Sequence, residues 1–281
     1  MNADDFGLIE LVSEGIIDAF NNAQVSSTTL MVNTLGTEHA VDLAGRHPAL
    51  GVGLHFNLTE GQPLTSAPSL VDTSGTFHPR ARLLRRLLQG KVDSRHIRIE
   101  FEAQLERIGE LGINPTHVDS HEHIHMTPGV FNAISSVVCD RVSRLRLVNP
   151  PNQYLAHLRH FRPRAALRDA VMHWTSASIR KRFAGVTNDH FVSLHQLPPS
   201  AEWNVDSYRV IARYGPSDSV SEVMVHPYPP GEYLGIHYRD DPFRDARQVF
   251  SEKCFMEHRI LTELAPFDPA YFDLITFDQL N

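Results

Sequence analysis

Thr116-His117-Val118-Asp119-Ser120-His121-Glu122-His123-Ile124-His125 packs four imidazoles and two carboxylates into ten residues. Read as an extended segment, its period-2 alternation puts His117, Asp119, His121, His123 and His125 on one face and Val118, Glu122 and Ile124 on the other. Such a face suits a metal ion better than an apolar core. Gly112 and Pro115 precede the stretch. Thr127-Pro128-Gly129 follows it, with Thr127 placed as an N-cap and Pro128 as a first helical residue. The order strand, loop, helix marks the carboxyl end of a strand, where α/β proteins place their chemistry.

Outward from that stretch, strands and helices alternate over the whole chain. Val12, Ile16, Ala19 and Phe20 mark an amphipathic helix to about Asn22, and Val25–Val32 reads as a strand. A helix over Thr37–Arg46 leads to a strand, Gly51–Phe56, that reaches a histidine near its end. Gly61 to Lys91 is an irregular excursion, with Ser69–Asp72 and the Gly75 turn forming a small hairpin. A helix over Asp93–Leu111 enters the histidine stretch. Beyond it come a helix over Gly129–Ser143, a strand over Arg144–Val148, a helix over Ala165–Phe183 and a loop or short strand over Val186–Phe191. Then follow a helix over Val205–Tyr214, a strand over Ser221–Pro227, a loop over Tyr228–Asp241, a helix over Arg244–Leu264 and a last strand over Leu274–Phe277. With no low-complexity linker, this pattern points to one parallel-stranded barrel or open sheet, and an incomplete barrel is the favoured form.

The composition narrows the function classes. A chain of 281 residues buries a large core without cross-links. Its two cysteines, Cys139 and Cys254, have no C-x-x-C partner, so neither a structural zinc knot nor a disulfide framework is expected. Net charge −7 without a basic block argues against a nucleic-acid surface. No run approaches ~18 apolar residues, so no membrane span is expected. The chain opens without a signal-peptide pattern, which makes the cytoplasm the expected location. A homodimer is the assembly common among barrels, though no self-complementary patch is legible.

Four strand ends carry ionisable residues: Asp4 and Asp5, His55, His121 with its neighbours, and His226. Taken singly, each has a plain structural reading. Asp4-Asp5 would cap a helix, His55 would be a hydrogen-bonded core histidine, and His226-Pro227 a strand terminus. Their recurrence at strand ends is what points to a shared site. Two neutral imidazoles and one carboxylate with open positions make a catalytic metal site, and a second carboxylate beside it could take a proton from metal-bound water. In an extended segment Asp4 and Asp5 face opposite ways, so a bend at Phe6-Gly7 is expected to bring both to the mouth. Asp119 reads as an orienter of a ligand, and His117, His123 and His125 are open to ligand, substrate or supporting roles.

Asn2-Ala3-Asp4-Asp5-Phe6-Gly7, Ser26–Asn33, Gly53-Leu54-His55-Phe56-Asn57-Leu58-Thr59, Pro115–His125 and Val225-His226-Pro227 together resemble the YdjC-like carbohydrate deacetylases, a family that includes chitooligosaccharide deacetylases and relatives associated with hopanoid biosynthesis. The resemblance implies a distorted or incomplete TIM-type barrel of the glycoside hydrolase/deacetylase superfamily, residues 1–281 forming one deacetylase domain. It implies metal-dependent deacetylation of a small N-acetylated saccharide or glycolipid headgroup. Carried over by motif, Asp5, His55 and His121 would bind one divalent cation, Asp4 would be the base and His226 the acid. Asp119, His123, His125 and Arg146 would meet substrate or support the ligands. The family implies Mg2+, whereas the donor set by itself also fits Zn2+, Mn2+ or Co2+. Two departures stand out. Only Met1 precedes Asn2, which suggests a truncated first strand, and Arg146-Leu147-Val148-Asn149-Pro150 lacks the carboxylate of an Arg-x-x-x-Glu segment. The competing readings are a barrel-type metal-dependent phosphoesterase or amidohydrolase, and a non-catalytic sugar-binding relative.

Overall fold

The computed structural model describes residues 1–149, 163–196, 203–204, 206–208, 219–231, 244–263 and 274–280. Its strands are β1 (Asn2–Phe6), β2 (Ser27–Leu30), β3 (Gly51–Phe56), β4 (Val118–Ser120), β5 (Arg144–Leu145), β6 (Val186–Thr187), β7 (His190–Val192) and β8 (Ser221–Val225). The helices are α1 (Glu10–Asn21), α2 (Thr37–Arg46), α3 (Arg80–Leu88), α4 (Ser94–Glu110), α5 (Pro128–Arg141), α6 (Pro163–Arg180) and α7 (Arg244–Glu263). The strands form one sheet in the order β6-β5-β4-β3-β2-β1-β8-β7, every pairing parallel, curled into an open half-barrel. Edge strand β7 and the turn before it are tied to the segment that leaves β5. Asn188 accepts from Leu147 N and donates to Leu147 O and His190 O, and Phe191 N donates to Asn149 O.

The central strands are buried along their full length, as parallel strands covered on both faces must be. Leu30, Leu54 and Phe56 have no exposed surface, and each such side chain stabilises the fold by about 1.5–3 kcal/mol relative to an exposed one. Outside the sheet, α1 buries Val12, Ile16 and Ala19, the apolar positions that predicted it. Helix α4 begins where Asp93 accepts from Arg95 N as an N-cap.

The first strand is five residues long and pairs with both β2 and β8. Several sequence expectations are corrected. The Gly61–Lys91 excursion holds a helix, α3, seated through Leu83, and its hairpin reduces to one bridge, Val71 to Phe77. The Arg144–Val148 strand shrinks to β5. The terminal strand over Leu274–Phe277 does not form. Thr276 instead makes a reciprocal capping box with Gln279 and starts a short 3₁₀ turn, which frees Phe277 to stack on His117 with ring centroids 3.7 Å apart. The helix expected over Val205–Tyr214 and the loop over Tyr228–Asp241 fall largely outside the described residues. No helix among the described residues is long and apolar enough to cross a membrane.

Candidate metal centre

The histidine stretch does not stay extended. Only Val118–Ser120 is strand, and His121–Met126 coils into a 3₁₀ segment in which Glu122 (φ 51°) and His123 (φ 55°) are left-handed. The single metal-binding face of alternating residues is therefore corrected, because the chain turns after Ser120 and sends its side chains to different partners. His117 lies behind the site against Phe277. Asp119 meets His55, and His121 meets Asp5. His123 packs edge-on against Phe191, with ring centroids 5.2 Å apart. His125 bonds Ser120 Oγ and the carbonyl of Arg146.

A bend also delivers the aspartates, but it begins earlier than expected. The β1–β2 register slips between Ala3 and Phe6, Asp5 itself is left-handed (φ 71°), and Gly7 follows at φ 87°. A left-handed non-glycine residue inside a strand is strained, and here it parts the two carboxylates. Asp5 Oδ1 lies 2.7 Å from His121 Nδ1 and 3.1 Å from His55 Nε2. Asp5 Oδ2 accepts from Tyr228 Oη at 2.5 Å, and His226 Nε2 stands 3.7 Å away. Asp4 instead takes a bidentate bond from Arg146, at 2.8 and 2.6 Å, and one from Asn2 Nδ2.

Behind His55, Asp119 Oδ1 sits 2.7 Å from Nδ1, and Thr29 Oγ1 donates to Asp119 Oδ2. A carboxylate on Nδ1 fixes the tautomer that leaves the Nε2 lone pair for a cation. The donors of Asp5, His55 and His121 lie within 4.8 Å of one another, and all three residues are at least nine-tenths buried or close to it. This donor set fits one divalent cation with positions left open. Asp4, His55 and Asp119 are similarly close, but the Arg146 guanidinium already bonds both carboxylates there, at 2.5 Å to Asp119. A second cation would meet a fixed positive charge.

The electrostatics agree with that assignment. Burial opposes charging His55, yet Asp119, Asp5 and Asp4 pull it up to about 10. Burial likewise opposes His121, and Asp5 raises it. Against its own burial, Asp5 is held well below the usual carboxylate range by His121 and His55. A cavity that holds protons this firmly beside a carboxylate is one where a cation can replace them. Arg146, fully buried, bonds Asp4, Asp119 and Glu222 together. Three carboxylates exceed what one guanidinium balances. Burial, with Asp4 and Asp119 adding to it against Arg146, pushes Glu222 up to about 7. His226 is lowered by burial and by His195, against the pull of Asp5 and Asp4.

Thus Asp5, His55, His121, Asp4 and His226 converge, with Asp119, His125 and Arg146 against them, while His123 rests on an aromatic ring. Tyr228 and Glu222 were not singled out from sequence. Strand parity offered a signal, since Glu222, His226 and Tyr228 share one phase of the alternation through β8 and past its end.

A family model for YdjC-like proteins matches residues 1–263. Chitooligosaccharide deacetylases of Yersinia pestis (strain Pestoides F) and Yersinia pseudotuberculosis serotype O:1b (strain IP 31758) are 44% identical over 148 residues, 52% of this chain and 58% of theirs. The chain therefore matches a little over half the length of these curated relatives. A crystal structure of an Enterococcus faecalis V583 protein named for cellobiose-phosphate cleavage superposes with a TM-score of 0.65 at 21% identity, over 95% of each chain, and shares the fold.

Proposed function

The chain belongs to the YdjC-like protein family, and from that membership and the geometry of its strand ends we propose that it is a metal-dependent hydrolase removing acetyl groups from a small N-acetylated saccharide. The observation that carries the reading is the Asp5 carboxylate between His55 Nε2 and His121 Nδ1, with an Arg146-anchored Asp4 on one side and His226 on the other. The named activity of the Yersinia relatives supports the choice of bond.

Asp5, His55 and His121 would hold one divalent cation, which supplies Lewis acidity toward an acyl oxygen and a water. Two imidazoles in the donor set favour Zn2+, Mn2+ or Co2+, although the family resemblance points to Mg2+. Asp4 serves as the general base. Arg146 and Asn2 grip both of its oxygens and fix its direction. His226 serves as the acid that hands a proton from Nε2 to the leaving amine. Tyr228 donates to Asp5 Oδ2, which leaves the other oxygen, Oδ1, facing His55 and His121.

The test is acetate release from N-acetylglucosamine oligomers with and without chelator. Activity that disappears on metal removal and returns with added cation is the expected result, and acetate release that survives complete metal removal overturns it. His121→Ala is expected to abolish metal binding and turnover together. His226→Ala is expected to spare metal binding while lowering turnover.

A further inference from the structure

On the far side of His226 lies a second set of donors that the deacetylase reading leaves unused. Strands β7 and β8 are neighbours, and the segments leaving their carboxyl ends bring His195 and His226 together, with ring centroids 5.2 Å apart. Helix α7 packs beside them. On it Cys254 and Glu257, three residues apart, share one face. His195, His226 and Cys254 each offer a donor atom within 4.8 Å of the others. Glu257 Oε2 lies 3.3 Å from His195 Nε2 and 3.9 Å from His226 Nδ1.

His226 Nδ1 makes the cluster more than a packing accident. The atom is buried and has no hydrogen-bond partner among the described residues, on a side chain only 10% exposed. At 3.9 Å the Glu257 oxygen is beyond bonding distance from it. An orphaned imidazole nitrogen on a ring clustered with a thiol, a second imidazole and a carboxylate has the surroundings of a ligand. The carboxylate itself is anchored, for Tyr208 Oη donates to its Oε1 at 2.6 Å and the His226 backbone N–H to its Oε2 at 2.7 Å. Cys254 is fully buried, whereas His195 is half-buried and gives a route of entry.

We propose that His195, His226, Cys254 and Glu257 form a second cation site, selective for a thiophilic ion such as Zn2+ or Cd2+. Ligand atoms of a tetrahedral site stand roughly 3.5 Å apart, so closure asks for shifts on the order of 1 Å. Binding forms a sulfur–metal bond and releases the thiol proton to solvent. Mg2+, which prefers oxygen ligands and keeps its water, would not fill it. One consequence rests on the deacetylase reading: an ion on His226 Nδ1 takes the lone pair that a proton needs there, which withdraws His226 from acid catalysis.

Titration of the metal-free protein with Co2+ tests the site. Thiolate-to-cobalt charge transfer reports Cys254 directly and does not depend on turnover. Wild type is expected to bind two equivalents, one of them with the thiolate band. Cys254→Ser should lose that band and one equivalent, while Asp5→Ala should keep the band and lose the other equivalent. His195→Gln should weaken the thiolate-linked equivalent by more than the roughly 10–100-fold that outer partners of a ligand contribute. A wild-type titration without a thiolate band overturns the proposal, as does a band that survives Cys254→Ser. If Asp5→Ala instead leaves both equivalents intact, the Asp5 centre fails and this one stands.

Discussion

Replacing Asp119 by asparagine separates two tasks that one carboxylate performs. One oxygen orients His55 at 2.7 Å, and the other faces Arg146 at 2.5 Å. Asparagine keeps the volume and removes the charge. One neutral acceptor oxygen then replaces two charged ones, so His55 Nδ1 competes with Arg146 and Thr29 for it and loses the charged partner that aims Nε2 toward Asp5. Losing such a partner costs roughly 10–100-fold in metal affinity, or about 1.4–2.7 kcal/mol. The stability loss is expected to be smaller than for an ordinary broken buried pair, which costs about 3–5 kcal/mol. Arg146 retains Asp4 and Glu222, and Glu222 is pushed up to about 7 partly by the Asp119 charge itself. Removing that charge lets Glu222 ionise more readily and take over part of the balance. The expected loss is therefore about 1–3 kcal/mol. Calorimetric metal titration and denaturant unfolding of the metal-free protein read the two effects separately. An Asp119→Asn protein that binds metal as tightly as wild type would refute the orienting role. A stability loss at or above the full buried-pair cost would refute the compensation by Glu222.

Gly53→Ala should destabilise the fold by about 1–3 kcal/mol, because a Cβ there would stand 2.6 Å from the His117 ring and 2.8 Å from its carbonyl, and thermal unfolding measures it. Tyr228→Phe removes the hydroxyl bonded to Asp5 and is expected to weaken metal binding about tenfold, measured by competition with a chelating dye, and to cost the metal-free fold about 1–3 kcal/mol, measured by denaturant unfolding. The metal-free protein should lose stability as pH falls below 6.5. Burial drives the folded pKa of His117 down to about 3 and of His125 to about 4, so the unfolded chain takes up those protons first, and the stabilisation present above 6.5 fades toward those lower values. Denaturant midpoints between pH 7 and 4 check this. Glu222, held at about 7 in the fold, works in the opposite direction, so the check is made on Glu222→Gln, where a midpoint flat across that window would mean that neither ring stays neutral in the fold.

The parallel barrel was legible in the sequence because its cause is local. Apolar spacing fixes α1, Asp93 starts α4, Thr127-Pro128 starts α5, and the alternation of strands with helices along the whole chain calls for a parallel sheet. The gathering of Asp5, His55, His121 and His226 could likewise be anticipated, since parallel strands deliver their carboxyl ends to one mouth whatever their separation along the chain. What each residue does within that mouth was decided by tertiary structure. Period-2 alternation assigned five residues of the histidine stretch to one face, but the left-handed Glu122 and His123 break the period after Ser120. Asp4 and Asp5 are equivalent as letters, and only the slip in β1 with the positive φ at Asp5 gives one to Arg146 and the other to the histidines. Glu222, Tyr228, Cys254 and Glu257 carry no motif. Their chemistry arises from burial beside groups up to 223 positions away, a distance over which sequence spacing holds no information.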